Sequence, residues 1–276
     1  MVLNVVNPEV KPEVSSAIAT RIVLILEYDG THYHGFQLQT SLTTIQGEIE
    51  KALRKLTGER IRVAAASRTD AGVHAKGQVV SFRSGSSYSP QTFVNGLNYY
   101  LPKDIAVKAA HKVGDSCNVR HNAVSREYSY YILNSLTRSP LREGFAYLVT
   151  GQLDIEAMNK ACQILIGEHD FTSFTSGVGV DVRNMVRRVY RAEIRREGRL
   201  IIFDMVSNSF LTHQVRNTVG ALVRVGLGKM SGDEFCDLIA AKTPGLAGPT
   251  APACGLTLMQ INYPQPFEEK MYDENL

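Results

Sequence analysis

Strand-length runs and amphipathic helical stretches alternate along this chain in two comparable cycles, an order that only mixed α and β architectures accommodate. Residues 21–28 (RIVLILEY) form the first β-rich run and end at the turn pair Asp29-Gly30. Thr43 then offers a helix cap, with Gln46 at the capping-box spacing. Ile45, Ile49, Ala52, Leu53 and Leu56 follow on one helical face, and Gly58 closes it. Residues 60–66 and 78–82 read as two strands joined by a polar turn over 67–75. Ser89-Pro90 opens a second helix with Pro at its first position and Phe93, Leu97 and Leu101 on the buried side. Residues 104–113 and 124–133 are strand-like again.

The second cycle starts where Asp154 caps a helix carrying Ile155, Met158, Ala161, Cys162, Leu165 and Ile166. A hairpin follows, with strands 186–196 and 200–207 and a turn at Glu197-Gly198. Residues 211–229 predict a long helix with Leu211, Val215, Val219, Leu222 and Gly226 on one stripe. Ser231 caps another helix, and 256–263 is a closing strand. The expectation is an α+β fold divided into an arm at 1–20, an N-terminal domain at 21–134 and a C-terminal domain at 135–276. The stretch 134–150, rich in Ser, Thr, Arg, Pro and Gly, is the candidate linker.

The 276 residues are 44% hydrophobic and 21% charged, which excludes wholesale disorder. No apolar run approaches the roughly 18 residues of a membrane span. The net charge of +3 neither announces nor excludes a nucleic-acid partner, because clustering matters more than the sum. Cys117, Cys162, Cys236 and Cys254 are scattered, so they read as free thiols rather than a zinc ribbon or a disulfide framework. Residues 1–20 lack the basic start and apolar block of a signal peptide, and a cytoplasmic protein is expected.

Chemistry concentrates in the loop ASRTDAGVHA at 66–75, which places an Arg, an Asp and a His over a turn between two strands. A plain β-connection needs Asp70 and Gly72 for its turn but not that company. The histidines have no ligand spacing with the cysteines, and no metal is expected. Arg183, Arg187, Arg188, Arg191, Arg195 and Arg196 form one basic cluster. Lys51, Arg54, Lys55, Arg60 and Arg62 form another. Such runs are commonly solvated faces, and clustered positive charge also suits phosphate contacts.

The loop string SRTDAGVHA resembles the active-site motif of the TruA family of tRNA pseudouridine synthases. Five further blocks resemble the family in its order: YDGTHYHGFQ at 28–37, SREYSY at 125–130, GEHDFTSF at 167–174, HQVRN at 213–217 and GLTL at 255–258. The resemblance implies a pseudouridine synthase fold of two pseudo-symmetric, ferredoxin- or RRM-like domains, each an antiparallel sheet with helices, facing a basic cleft. It implies an isomerase that converts uridine to pseudouridine in the anticodon stem-loop of tRNA, at positions 38, 39 and 40. No cofactor is implied, and a homodimer is. Asp70 is implied as the catalytic aspartate, with Arg216 as its cationic neighbour. Tyr128 is implied to pack on the target uracil, and Arg68 to displace or hold the base. A carboxylate suits the reaction as nucleophile toward sugar or base, as stabiliser of positive charge, or as proton carrier, and the sequence leaves those routes open. Ser67 departs from the Gly common in bacterial relatives, and Leu258 reads as pocket floor or as core.

Two other readings compete. Residues 76–82 faintly resemble an RNP1 strand of an RNA-binding module but lack its aromatic pair. An Asp-dependent N-glycosidic hydrolase would release free uracil, which an isomerase retains.

Overall fold

The computed structural model describes residues 19–176 and 184–265. The expected arm at 1–20, apart from its last two residues, and Arg183 lie outside them. The elements in chain order begin with β1 (Thr20–Tyr28), α1 (Ile45–Thr57), β2 (Ala64–Ala65), β3 (His74–Ser84), α2 (Pro90–Tyr100) and β4 (Ile105–Val113). They continue with β5 (Ser125–Asn134), β6 (Tyr147–Val149), α3 (Ile155–Gln163), β7 (Gly167–Asp170), β8 (Val186–Glu197) and β9 (Leu200–Ser207). The last are α4 (Gln214–Gly226), α5 (Gly232–Ala241) and β10 (Leu256–Asn262).

Helix starts follow side-chain capping. Ser89 Oγ accepts from Thr92 N at 3.1 Å ahead of α2, and Asp154 Oδ1 accepts from Ala157 N at 2.9 Å ahead of α3. Ser231 and Glu234 form a reciprocal capping box on α5. For α1 the cap is Thr44 rather than Thr43: Thr44 Oγ1 accepts from Gly47 N at 3.2 Å. The Gln46 side chain is engaged elsewhere: its Oε1, the atom a capping box would use, accepts from Leu38 N at 3.0 Å, and its amide donates to Glu50 Oε1 at 2.7 Å. The strand expected at 60–66 shrinks to β2, and α4 begins at Gln214 rather than Leu211.

All ten strands belong to one sheet, with β4-β1-β3-β10-β5-β9-β8-β7 side by side, β2 on β3 and β6 on β5. Two copies of one pattern are visible. In β1-α1-β2-β3-α2-β4 the strands lie as β4-β1-β3-β2, and in β5-α3-β8-β9-α4-β10 they lie as β10-β5-β9-β8. Both are the ferredoxin-like order. The strand β10, last in sequence, therefore sits mid-sheet, antiparallel to β5 and parallel to β3. β5 pairs with β9 and β10, inside the second copy.

The two copies meet on one edge of β3. Because β1 pairs along the length of β3 from Ala75 to Ser84, β2 and β10 must share the opposite edge. β10 takes His74 and Ala75, and β2 takes Val80 and Ser81. The loop between β2 and β3 leaves the sheet at that seam. Each copy has its own apolar packing. Phe82 meets Phe93 edge-on at 5.5 Å, while Phe174 meets Phe171 at 5.7 Å and Phe235 at 6.0 Å. Among the described residues no helix is long and apolar enough to cross a membrane.

Leu258 settles as core: it is fully buried on β10, opposite Tyr128 on one side and Ala75 on the other, while Leu256 lines the cleft described below. Leu258→Ala should cost about 2–5 kcal/mol by leaving a cavity at the seam, measured as a lowered denaturant midpoint with unchanged slope.

Candidate active site

The seam loop is clamped from both sides. The segment after β1 lies over it: Phe36 N donates to Thr69 O at 3.0 Å, and Gly72 N donates to Tyr33 O at 3.3 Å. Only glycine allows this approach at Gly30, where a Cβ would stand 2.0 Å from Val73 O. Gly35 has φ +87°, and a Cβ there would come within 2.9 Å of Thr69 O. From beneath, the buried Gln78 of β3 donates to Ser67 O at 2.8 Å and to Tyr28 Oη at 3.3 Å. Tyr28 and Thr69 share a hydroxyl hydrogen bond of 2.8 Å.

His74, beside the loop, is a tie rather than an acid or base. Its Nδ1 accepts from Gly30 N at 3.1 Å, and its Nε2 donates to Gly144 O at 2.8 Å and Cys254 O at 3.1 Å. Phe145 stacks on the ring at 4.7 Å. No ring nitrogen is left for a substrate.

Asp70, 32% exposed, stands at the centre of the loop and faces α4 across the seam. Arg216 Nη1 lies 3.1 Å from Asp70 Oδ2, and His213 Nε2 lies 3.5 Å from the same oxygen. No partner of Oδ1 is recorded among the described residues. Arg216 is held at its base as well: its Nε donates to Ala251 O at 2.9 Å, and its own carbonyl accepts from Ala251 N at 3.1 Å. Next to it, buried Asn217 donates to Phe174 O at 2.9 Å and Thr175 O at 3.1 Å and accepts from Thr250 Oγ1 at 2.6 Å. The guanidinium is thus preset before any ligand arrives. His213 adopts φ 63° at the start of α4, an uncommon backbone for a residue with a Cβ and one that concentrates at functional sites.

Tyr128 is buried on β5, 5% exposed, with its hydroxyl 3.0 Å from Ser67 Oγ. Phe210 meets its ring edge-on at 5.1 Å. Burial, with the negative charge of Asp70 nearby, pushes the Tyr128 phenol up to about 12, against the opposing Ser67 hydrogen bond. It stays a protonated donor at neutral pH. Arg68 is exposed on the rim, beside the loop centre but without a recorded contact to Asp70. Asp70, Arg68, Tyr128 and Arg216 all line one cleft of about 710 Å³.

Several contributors escape a sequence reading. Arg126 is buried, and its guanidinium donates to the carbonyls of Ala66, Arg120, Ala123 and Asn208, stapling the loop's first residue to two neighbouring segments. Desolvation lowers its pKa, which leaves it charged all the same. Gln78 and Phe210 carry no pattern that marks them, and His213 and Asn217 lie in the HQVRN block without a role assigned to them, because their roles rest on contacts between distant segments. The arginine cluster on β8 is partly spoken for: Arg191 pairs with Glu127, and Arg195 with Asp204 and Glu197. Arg188 is exposed.

Comparison with known proteins places this geometry. A family model described as tRNA pseudouridine synthase matches residues 24–122 and 161–264. The chain is 42% identical over 247 residues to tRNA pseudouridine synthase A of Legionella pneumophila (strain Corby), covering 90% of this chain and 94% of that protein. It is 43% identical over 243 residues to the protein of that name from Exiguobacterium sp., covering 88% and 98% respectively. For Geobacillus kaustophilus the identity is 41% over 244 residues, covering 88% and 94%.

Two outcomes follow for the free protein. Tyr128, like Tyr28 and Tyr130, has a phenol raised by burial, so the folded chain retains protons that the unfolded chain loses above about pH 10. Stability should hold below that pH and fall as the pH rises toward 12, read from denaturant midpoints at successive pH values. At the strained start of α4, His213→Asn should keep the fold, whereas β-branched His213→Val should be about 1–2 kcal/mol less stable than His213→Asn in the same assay.

Proposed function

The chain belongs to the tRNA pseudouridine synthase family and isomerises uridine to pseudouridine in tRNA, and on that premise we propose that Asp70 carries the reaction in the anticodon stem-loop, at positions 38, 39 and 40. One observation carries the assignment of Asp70. The Arg216 guanidinium and the His213 imidazole converge on its Oδ2, while Oδ1 keeps no recorded partner among the described residues and the carboxylate lies in the cleft.

The reaction breaks the bond between ribose C1′ and uracil N1, turns the base, and joins C1′ to C5. The C5 proton leaves, N1 gains one, and no water is consumed. Asp70 Oδ1 is the atom available to engage the sugar or the base as the first bond weakens. Arg216 supplies the counter-charge that offsets the desolvation of the carboxylate once a nucleoside covers it. Tyr128 offers the extruded base an aromatic edge shared with Phe210, in place of the stacking lost from the RNA. Arg68, on the rim, helps to displace or hold the base while contacting the backbone.

The same reading makes the enzyme a cytoplasmic homodimer. It divides the chain into the arm at 1–20 and two α+β halves, and the pairing of β5 with β9 and β10 supports starting the second half at Ser125 rather than after Asn134.

Asp70→Asn keeps the shape and removes the charge, so pseudouridine mapped on tRNA transcripts should fall at least about a thousandfold, roughly 4 kcal/mol of barrier. Full activity in that variant would overturn the assignment, and free uracil from the wild type would favour the hydrolase reading. Arg216→Ala should lower kcat at least about tenfold while tRNA Kd changes less than about threefold. The reverse ranking would make Arg216 a phosphate contact.

A further inference from the structure

A second pocket, of about 320 Å³, opens beside the catalytic cleft and shares Phe36, Gln37, Ala65, Arg68 and Arg120 with it. Its other walls include Arg21, near the start of β1, and Asn118 and His121 on the loop ahead of β5. Its lining contains no carboxylate, whereas the cleft holds Asp70. That contrast is informative because the chain neutralises many of its cations elsewhere: Lys51 pairs with Glu48, Arg62 with Glu50, Arg83 with Asp115 and Lys160 with Glu156. Among the described residues no carboxylate is paired with Arg21, Arg68, Arg120 or His121, and Arg21 Nε is buried without a hydrogen-bond partner.

The wall is also rigid. Asn118 Oδ1 accepts from the backbone N–H of Arg120 and of His121, both at 3.1 Å, and Arg126 Nη2 donates to Arg120 O at 2.7 Å. Arg120 therefore rides on a fixed backbone at the ridge between the two pockets. Two rings stand in the lining: Phe36 is buried and gives a base no face to stack on, and the His121 imidazole is exposed. Three arginines in a lining without a carboxylate suit a phosphodiester.

We propose that this pocket binds the backbone phosphate next to the target uridine, with Arg68 and Arg120 on the ridge and Arg21 inside. The proposal rests on the reading that the cleft at Asp70 receives a uridine of tRNA. A nucleotide whose base enters that cleft draws its sugar toward Arg68 and Arg120, so the adjoining phosphate passes over the ridge. Recognition here is indifferent to sequence.

The test is the salt dependence of tRNA binding by wild type, Arg21→Gln and Arg21→Gln/His121→Gln, measured by anisotropy between about 50 and 300 mM salt. The slope of log Kd against log salt should fall in magnitude by about 0.7–0.9 for Arg21→Gln, the signature of one lost phosphate contact. The loss should appear in KM more than in kcat, and Arg21→Lys should restore most of it. Lys160→Gln, on an exposed pair of α3, should keep the wild-type slope. Changing the bases that flank the target should leave the wild-type to variant Kd ratio within about twofold. A wild-type slope in folded Arg21→Gln overturns the proposal, and a ratio that depends on the flanking base reassigns the pocket to base recognition. If Arg21→Gln fails to fold, Arg120→Gln carries the same slope criterion. Altered slopes with no pseudouridine from the wild type would overturn the functional reading instead, because the slope is independent of turnover.

Discussion

The ion pair between Asp70 and Arg216 joins residues from the two halves of the chain, and the architecture is arranged around it. A carboxylate set in a cleft needs an opposite charge nearby, since its own desolvation opposes ionisation. In the first half Arg68 and Arg120 line the same cleft, but neither pairs with Asp70 among the described residues. Its loop is held by backbone hydrogen bonds from Phe36 and Gly72 and by Gln78, none of which is cationic. The cation comes from α4, whose position is in turn fixed by Asn217 and by the reciprocal bonds between Arg216 and Ala251.

That arrangement depends on where the two copies of the ferredoxin-like pattern join. They share only a short parallel ladder, His74 with Thr257 and Ala75 with Leu258. β2 then uses the same edge of β3 further along, so the intervening loop has to leave the sheet. A longer ladder would cover the place from which Asp70 emerges. Stability and function thus compete for one sheet edge, and the buried Leu258 supplies apolar packing where backbone pairing stops.

Legibility differed by element. The hairpin of β8 and β9 and the starts of α2, α3 and α5 were readable because turn glycine, Pro at the first helical position and capping side chains act within a few residues. The strand at 60–66 was overestimated, since β propensity says nothing about whether a partner edge is available. The cap of α1 is Thr44 rather than Thr43, and Gln46 Oε1 accepts from Leu38 N instead of closing a capping box. At the site, Asp70 was legible as the unusual member of an unusual loop, and Arg216 as the Arg of the HQVRN block. The role of His213 shows only in the fold, because a positive φ leaves no mark in composition or periodicity.

Local chemistry, then, was written in the sequence: an α+β chain, two similar cycles, and one loop carrying Arg68, Thr69 and Asp70 between strands. Only the folded chain decided that β10 would lie between β3 and β5, that Arg216 and His213 would meet one carboxylate oxygen, and that arginines with no carboxylate partner among the described residues would gather beside it. The reason is range. Capping, turns and periodicity operate over a few residues, whereas the contact of Asp70 with Arg216 spans 146 positions and exists only because the two halves of one sheet join at β3 and β10.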